Sequence, residues 1–144
     1  MNIASILATK GGQAITIRPE QSVREAVALL GRHNIGALIV VNEANQPVGI
    51  LSERDIVREA ARDEQVFVRA VSEIMTKDVV TGLPQDDLLS VANTMTERRI
   101  RHLPIVDAGR LVGMVSIGDV VKAQRDKYQG EVDTLETQIL AEGE

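Results

Sequence analysis

The sequence predicts a mixed α/β (α+β) fold of two β-α-β-β-α repeats packed on each other about a pseudo-two-fold axis. Three observations predict it. The stretch "VGILSERDIV" at Val48–Val57 returns as "VGMVSIGDVV" at Val112–Val121, 64 positions later. Aligning Pro19 with Pro84, an offset of 65, makes two apolar stripes coincide: Val23, Ala26, Val27 and Leu30 follow helical spacing, and so do Leu88, Val91, Ala92 and Met95. The apolar runs Ala37–Asn42 and Leu103–Asp107 each read as a buried strand, followed by a turn bearing Asn45 or Gly109 and a second strand. One deletion in the second turn changes the offset from 65 to 64.

The remaining elements follow in chain order. The lead-in "SILATK" (Ser5–Lys10) matches "SEIMTK" (Ser72–Lys77), and strands are expected behind them at Ala14–Ile17 and Val79–Gly82. Gly11–Gly12 lacks the Lys-Ser/Thr of a phosphate-binding loop and reads as a helix-ending turn. Val57–Met75 links the copies and is largely helical by composition. The boundaries are thus 1–67 for the first repeat with its lead-in, 68–125 for the second, and 126–144 for a C-terminal helix. A unit of about 60 residues is marginal alone, which makes the two one folding unit. In the C-terminal segment Val121, Arg125, Tyr128, Val132, Leu135 and Ile139 alternate spacings of four and three, a heptad seam interrupted by Gly130. Such a helix either meets a partner subunit or folds back on its own domain.

Composition excludes several functions. The chain of 144 residues is 44% apolar and 26% charged, and its longest apolar stretch, around Ala37–Val41, is far too short to cross a bilayer. No signal-peptide pattern opens the sequence, so a cytoplasmic protein is expected. The absence of cysteine removes disulfides, thiolate catalysis and Cys-based zinc sites. His33 and His102 lack metal-ligand spacing, and His33 reads as a cation at a helix C-terminus; no metal is expected. A net charge of −5 without a basic stripe argues against nucleic acid. Phe67 and Tyr128 are the only aromatics, so a bound base must rest on aliphatic side chains. Neither Ser52 nor Ser116 sits in a nucleophile elbow, and a duplicated acid gives two half-sites instead of one asymmetric catalytic pair; no enzyme is expected.

The repeated Ser-x-x-Asp has two readings. As a capping box, Ser52 or Ser116 satisfies free N–H groups while Asp55 or Asp119 sits in the first helical turn. It also stands where a strand ends and a helix begins, which is where α/β proteins bind anions and sugars. A carboxylate suits vicinal ribose hydroxyls, and a hydroxyl with helix N-terminal amides suits phosphate.

Here the chain resembles a known family. The Gly-apolar-apolar-Ser-x-x-Asp pattern, repeated about 64 residues apart, with "RRIRHLPIVDAGRLVG" before the second copy, is similar to a tandem pair of CBS domains of the stand-alone bacterial type. The resemblance covers nearly the whole chain. It implies two clefts that take adenosine derivatives such as AMP, ATP, NAD or S-adenosylmethionine. Ser52 with Asp55, and Ser116 with Asp119, would be the phosphate and ribose contacts. Groups near Thr16, Ile17, Ile35, Gly36 and Ala37 would cradle one adenine, with Thr81 and Ile100 as equivalents for the other. Arg101 and His102 would face phosphates; the other copy has Gly36 and Ala37 there, so the clefts are expected to be inequivalent. The resemblance further implies a homodimer and a regulatory role, an adenine-nucleotide sensor acting in trans on an effector protein. The alternative is a ligand-free structural dimerisation or adaptor protein.

Overall fold

In the computed structural model the described residues are 1–10 and 14–142, with side chains described through residue 139; the Gly11–Gly12 turn and residues 143–144 lie outside them. Each repeat lays one helix over one β-hairpin. In the first, α2 (Val23–His33) starts where the Ser22 hydroxyl accepts the Glu25 N–H, and ends where Asn34 turns left-handed at φ 51°. In the second, α5 (Leu88–Arg98) starts on the Asp87 carboxylate, which accepts the Leu89 N–H, and ends at left-handed Arg99, φ 55°. The hairpins are β2 (Ala37–Val41) with β3 (Pro47–Ser52), and β4 (His102–Asp107) with β5 (Arg110–Ser116), all antiparallel. Their registers match: Ala37 faces Ser52 and His102 faces Ser116, with an irregularity at Val40/Val41 and at Ile105/Val106. The apolar stripes bury as expected except for Val27, which stays 39% exposed while its counterpart Ala92 is buried.

The outer strands differ. β1 (Thr16–Ile17) pairs in parallel with Ile39 and Val40. The strand expected at Val79–Gly82 is reduced to one parallel bridge, Gly82 to Ile105, closed by Gly82 N–H to the Pro104 carbonyl at 2.9 Å and Val106 N–H to the Gly82 carbonyl at 2.9 Å. Proline explains the correction. A parallel ladder extended toward Val80 needs the amide hydrogen of residue 104, and Pro104 has none.

Two apolar cores form, and each draws a lead-in from the other repeat. The second core, around Leu88, Met95, Leu103, Ile105 and Val115, contains Ile3 and Ile6 of the N-terminal helix α1 (Ile3–Lys10). The first, around Val23, Leu38, Val40 and Leu51, contains Val66 and Val71 from the segment that precedes the second repeat. That segment is not one long helix. After α3 (Glu53–Ala60) come a 3-10 turn (Val66–Val68) and the short α4 (Val71–Ile74). Arg69 fixes it, its guanidinium 3.2 Å from Glu59, 3.3 Å from Asp63 and 3.8 Å from Glu73.

The exchange explains the repeated Val-Gly. A β-carbon on Gly113 would lie 2.7 Å from Leu7 Cδ2, and one on Gly49 would collide with the Met75 side chain and stand 3.1 Å from the Thr76 carbonyl oxygen. Neither glycine needs a positive φ; each is a notch that receives the opposite lead-in. The last helix, α6 (Ile117–Glu142), begins at β5, buries Val120 in the second core, and continues unbroken through Gly130.

Overpacking at these notches has a predictable order. Gly49→Ala is expected to cost about 1–3 kcal/mol, because a backbone carbonyl blocks the new methyl. Gly113→Ala is expected to cost less, since the tip of Leu7 can swing aside. Urea unfolding of both variants checks the order, and equal or reversed losses contradict it.

Candidate functional site

Both strand-to-helix junctions are built alike. Ser52 caps α3: Asp55 N–H donates to Ser52 Oγ at 3.2 Å, and Ser52 N–H donates to Asp55 Oδ2 at 3.0 Å. At the head of α6 the same pair closes between Asp119 N–H and Ser116 Oγ at 3.1 Å, and between Ser116 N–H and Asp119 Oδ2 at 2.9 Å. One further bond repeats, Glu53 N–H to the Gly36 carbonyl at 3.0 Å and Ile117 N–H to the Arg101 carbonyl at 2.9 Å. The capping box is therefore real at both ends. It leaves Asp55 Oδ1 without a hydrogen-bond partner among the described residues, free to accept from a ligand.

The first junction opens into a cavity of about 350 Å³ that both repeats wall. Ser52, Glu53, Arg54 and Asp55 form one side, and the run Arg99, Ile100, Arg101 and His102 forms another. Ile50, Val80 and Ile100 supply aliphatic surface, with Gly36, Thr76 and Asp78 completing the lining. Thr76 is there because it bridges β3, its N–H and carbonyl bonded to Ile50 at 2.9 and 3.0 Å. His102 is half-buried between this cavity and the second junction. Burial lowers its pKa below the ordinary 6.5, Lys10 and Arg101 lower it further, and Asp119 and Glu53 oppose them.

The second junction holds a cation of the chain itself. Lys10 Nζ lies 2.8 Å from Asp119 Oδ2 and 2.9 Å from the Met114 carbonyl oxygen. Met114 and Asp119 correspond in the other copy to Ile50 and Asp55, two residues of the open cavity. Asp55 has no such cation paired with it among the described residues. The two lead-ins end differently: α4 stops at Ile74, whereas α1 runs on through Ala8 and Thr9 to Lys10, an extra turn that carries the lysine over the carboxylate. Burial pushes the Asp119 carboxyl up, but hydrogen bonds from Lys10 and from the Ser116 N–H and the charge on Lys10 hold it below 3.8. A hollow of about 370 Å³ beside this contact lies between α1 and α6, lined by Ser5, Thr9, Lys10, Asp119, Lys122 and Asp126 among others.

The structure therefore sorts the residues singled out in the sequence. Gly36, Ser52, Asp55, Ile100, Arg101 and His102 meet in one cavity. Asp119 faces the α1–α6 hollow, and Ser116 caps α6 without lining either space. Thr16, Ile17, Ile35, Ala37 and Thr81 line neither; Ile17, 2% exposed, packs in the first core, and Ala37, 1% exposed, lies in β2, which is buried on both faces. Sequence reasoning missed Ile50, Glu53, Arg54, Thr76, Asp78, Val80 and Arg99. Arg99 carried a signal: it aligns with the helix-ending Asn34, and a left-handed backbone costs an arginine roughly 1–2 kcal/mol more than a residue such as Gly or Asn suited to that turn.

Comparison with known proteins decides the family. The model of the CBS domain matches twice, over residues 5–62 and 71–126. The chain belongs to the CBS-domain family. Among relatives of this CBS pair, the CBS domain-containing protein YhcV of Bacillus subtilis is 36% identical over 122 residues, 85% of this chain and 86% of its own. The crystal structure of the CBS-domain protein ATU1752 from Agrobacterium tumefaciens superposes with a TM-score of 0.80 at 37% identity, covering 86% of this chain and 99% of that one. The CBS domain pair of protein MJ0100, solved with 5'-methylthioadenosine and S-adenosyl-L-methionine, matches with a TM-score of 0.76 at 30% identity, covering 88% of this chain and 98% of that one. Inosine-5'-monophosphate dehydrogenase of Staphylococcus haemolyticus also matches, but over only 21% of its length. No helix of the described residues is long and apolar enough to cross a membrane.

Lys10→Met is expected to raise the Asp119 carboxyl pKa. Because the folded carboxyl is held below its ordinary value, its stabilisation is present above that value and is lost as pH falls through the folded one. The variant should therefore lose stability at neutral pH and lose least in strong acid. Carboxyl NMR titration with denaturation at both pH values checks this; an unmoved Asp119 contradicts the contact.

Proposed function

We propose that this CBS pair is a regulatory sensor of an adenine nucleotide, bound in the cavity between Ser52–Asp55 and Arg99–His102. The observation that carries the reading is the free oxygen of Asp55 facing, across one cavity, a basic run from the other repeat. A ribose edge fits the carboxylate, and Ser52 with the first amides of α3 suits a phosphate. Arg99, Arg101 and Arg54 offer forked donors to a phosphate, beside the carboxylates of Glu53, Asp55 and Asp78 in the same lining. Ile50, Val80 and Ile100 offer the aliphatic sandwich that a base needs in a chain nearly devoid of aromatics. The adenosine ligands in the MJ0100 pair support the class of ligand. A cavity near the lower end of the range for small-molecule sites, roughly 300–1,000 Å³, suits a mononucleotide such as AMP better than ATP or NAD.

In this reading the protein performs no catalysis and holds no cofactor beyond its ligand. It works in the cytoplasm as a homodimer, and passes the state of its cleft to an effector protein whose affinity differs between filled and empty forms. The Lys10–Asp119 pair keeps the second junction from acting as an equal site.

Thermal unfolding with AMP, ADP, ATP, NAD and S-adenosylmethionine tests the proposal, since a ligand at 100 times its Kd adds about 2.7 kcal/mol. Stabilisation by a phosphate-bearing member supports the sensor; none with any member leaves the adaptor. Asp55→Asn is expected to weaken binding by about 1.5–3 kcal/mol while keeping an acceptor for the cap, with Asp119→Asn affecting it far less; the reverse order would place the ribose elsewhere. A bound phosphate should also raise the pKa of His102 from its lowered value. Imidazole NMR follows it, and an unshifted His102 removes it from the phosphate.

A further inference from the structure

We infer that α6 is a self-association surface, on which a second copy of this chain docks its own α6 antiparallel about a two-fold axis beside Gly130. Three features carry this. First, only the start of α6 is covered. Val120 and Ala123 pack on the second core, whereas the described residues from Arg125 to Ile139 are exposed. Twenty-six residues of helix span about 39 Å, and a projecting helix with no tertiary cover is marginal in water. Second, the exposed face is a seam. Val121, Arg125, Tyr128, Val132, Leu135 and Ile139 alternate by four and three, and their apolar members are 47–66% exposed. Gly130 does not break that seam. It lies on the opposite side of the helix, where an added β-carbon would meet nothing within 4 Å.

Third, charge chooses the occupant and its direction. Every Lys and Arg of α6 precedes Gly130, namely Lys122, Arg125 and Lys127, together with Asp126 and with Asp119, which Lys10 already pairs, while Glu131, Asp133, Glu136 and Glu142 follow it. An antiparallel second copy sets the half that carries all the bases against the half that carries only acids. The seam then closes in layers that repeat through the two-fold axis, Val121 on Ile139, Arg125 on Leu135 and Tyr128 on Val132. Lys122 faces Glu136 of the second copy at both ends, and the stem of Arg125 covers Leu135. Glu131 meeting its own copy near the axis is the one like-charge contact. A parallel pair is worse. It stacks Arg125 on Arg125 in the seam and sets Glu131 beside Glu136 on both flanks.

The surface belongs to the proposed homodimer but is argued without the nucleotide. Since the chain has no cysteine, Val121→Cys and Ile139→Cys report on orientation directly. The two positions on one helix stand about 27 Å apart. Antiparallel pairing yields a disulfide dimer only when the two variants are mixed and oxidised, and neither variant alone cross-links. Light scattering should give twice 15.7 kDa for the native chain. Leu135→Asp, at a position exposed within one chain, should give 15.7 kDa, with helical circular dichroism falling by no more than the uncovered part of α6 and cooperative unfolding of the rest retained. Lys122→Glu and Glu136→Lys should each weaken the dimer, and the double variant should restore it. A native monomer, cross-linking of a single variant with itself, or a dimer that survives Leu135→Asp would each overturn the inference. Nucleotide stabilisation of the Leu135→Asp chain bears only on the sensor reading and separates the two.

Discussion

The structure depends on a short-range contact made twice, a side chain from one repeat's lead-in seated on a glycine of the other repeat's hairpin. Met75 lies on Gly49 and Leu7 on Gly113. Each repeat buries too little surface to hold together alone. The exchange places Val66 and Val71 in the first core and Ile3 and Ile6 in the second, so neither core is complete without chain from outside its own hairpin and helix. It also brings functional chemistry to the junctions. The same segment that fills the notch over Gly49 brings Thr76 to the wall of the open cavity, and the one over Gly113 brings Lys10 to Asp119.

The two junctions share a backbone and differ in what reaches them. Capping boxes, hairpin registers and the bonds to the Gly36 and Arg101 carbonyls are common to both. One extra helical turn in α1 separates them, because it delivers an ammonium where α4 delivers only extended backbone. A duplicated fold thus acquires one carboxylate, Asp119, paired internally with Lys10, and one, Asp55, with no cation paired to it among the described residues. The capping role of Asp55 does not compete with ligand, since a carboxylate has two oxygens and the cap uses one.

What the sequence made legible was local or periodic. Helical stripes, hairpin pairs and the Ser-x-x-Asp caps depend on residues within a few positions of one another, and all of them stand in the structure. Matching Ser5–Lys10 with Ser72–Lys77 marked the lead-ins as equivalent but carried no sign of which sheet each would cover, because that is settled by packing across the whole chain. The lost strand at Val79–Gly82 was readable in principle from Pro104, but only once the parallel register was known. Six of the site residues converged because they flank the caps or open β4. Ile17 did not, since it faces the first core beside Val40, and Ala37 did not, since β2 is buried on both faces. Arg99 was legible only as the position aligned with the helix-ending Asn34; that it also lines the cavity shows only in three dimensions.

The central claim is that one duplicated junction receives a ligand while at the other Lys10 already neutralises the carboxylate. Equilibrium dialysis of the native chain with a saturating adenine nucleotide measures this as a stoichiometry. The account predicts one molecule bound per chain. Two equivalent sites per chain, or none with any adenine nucleotide, would contradict it.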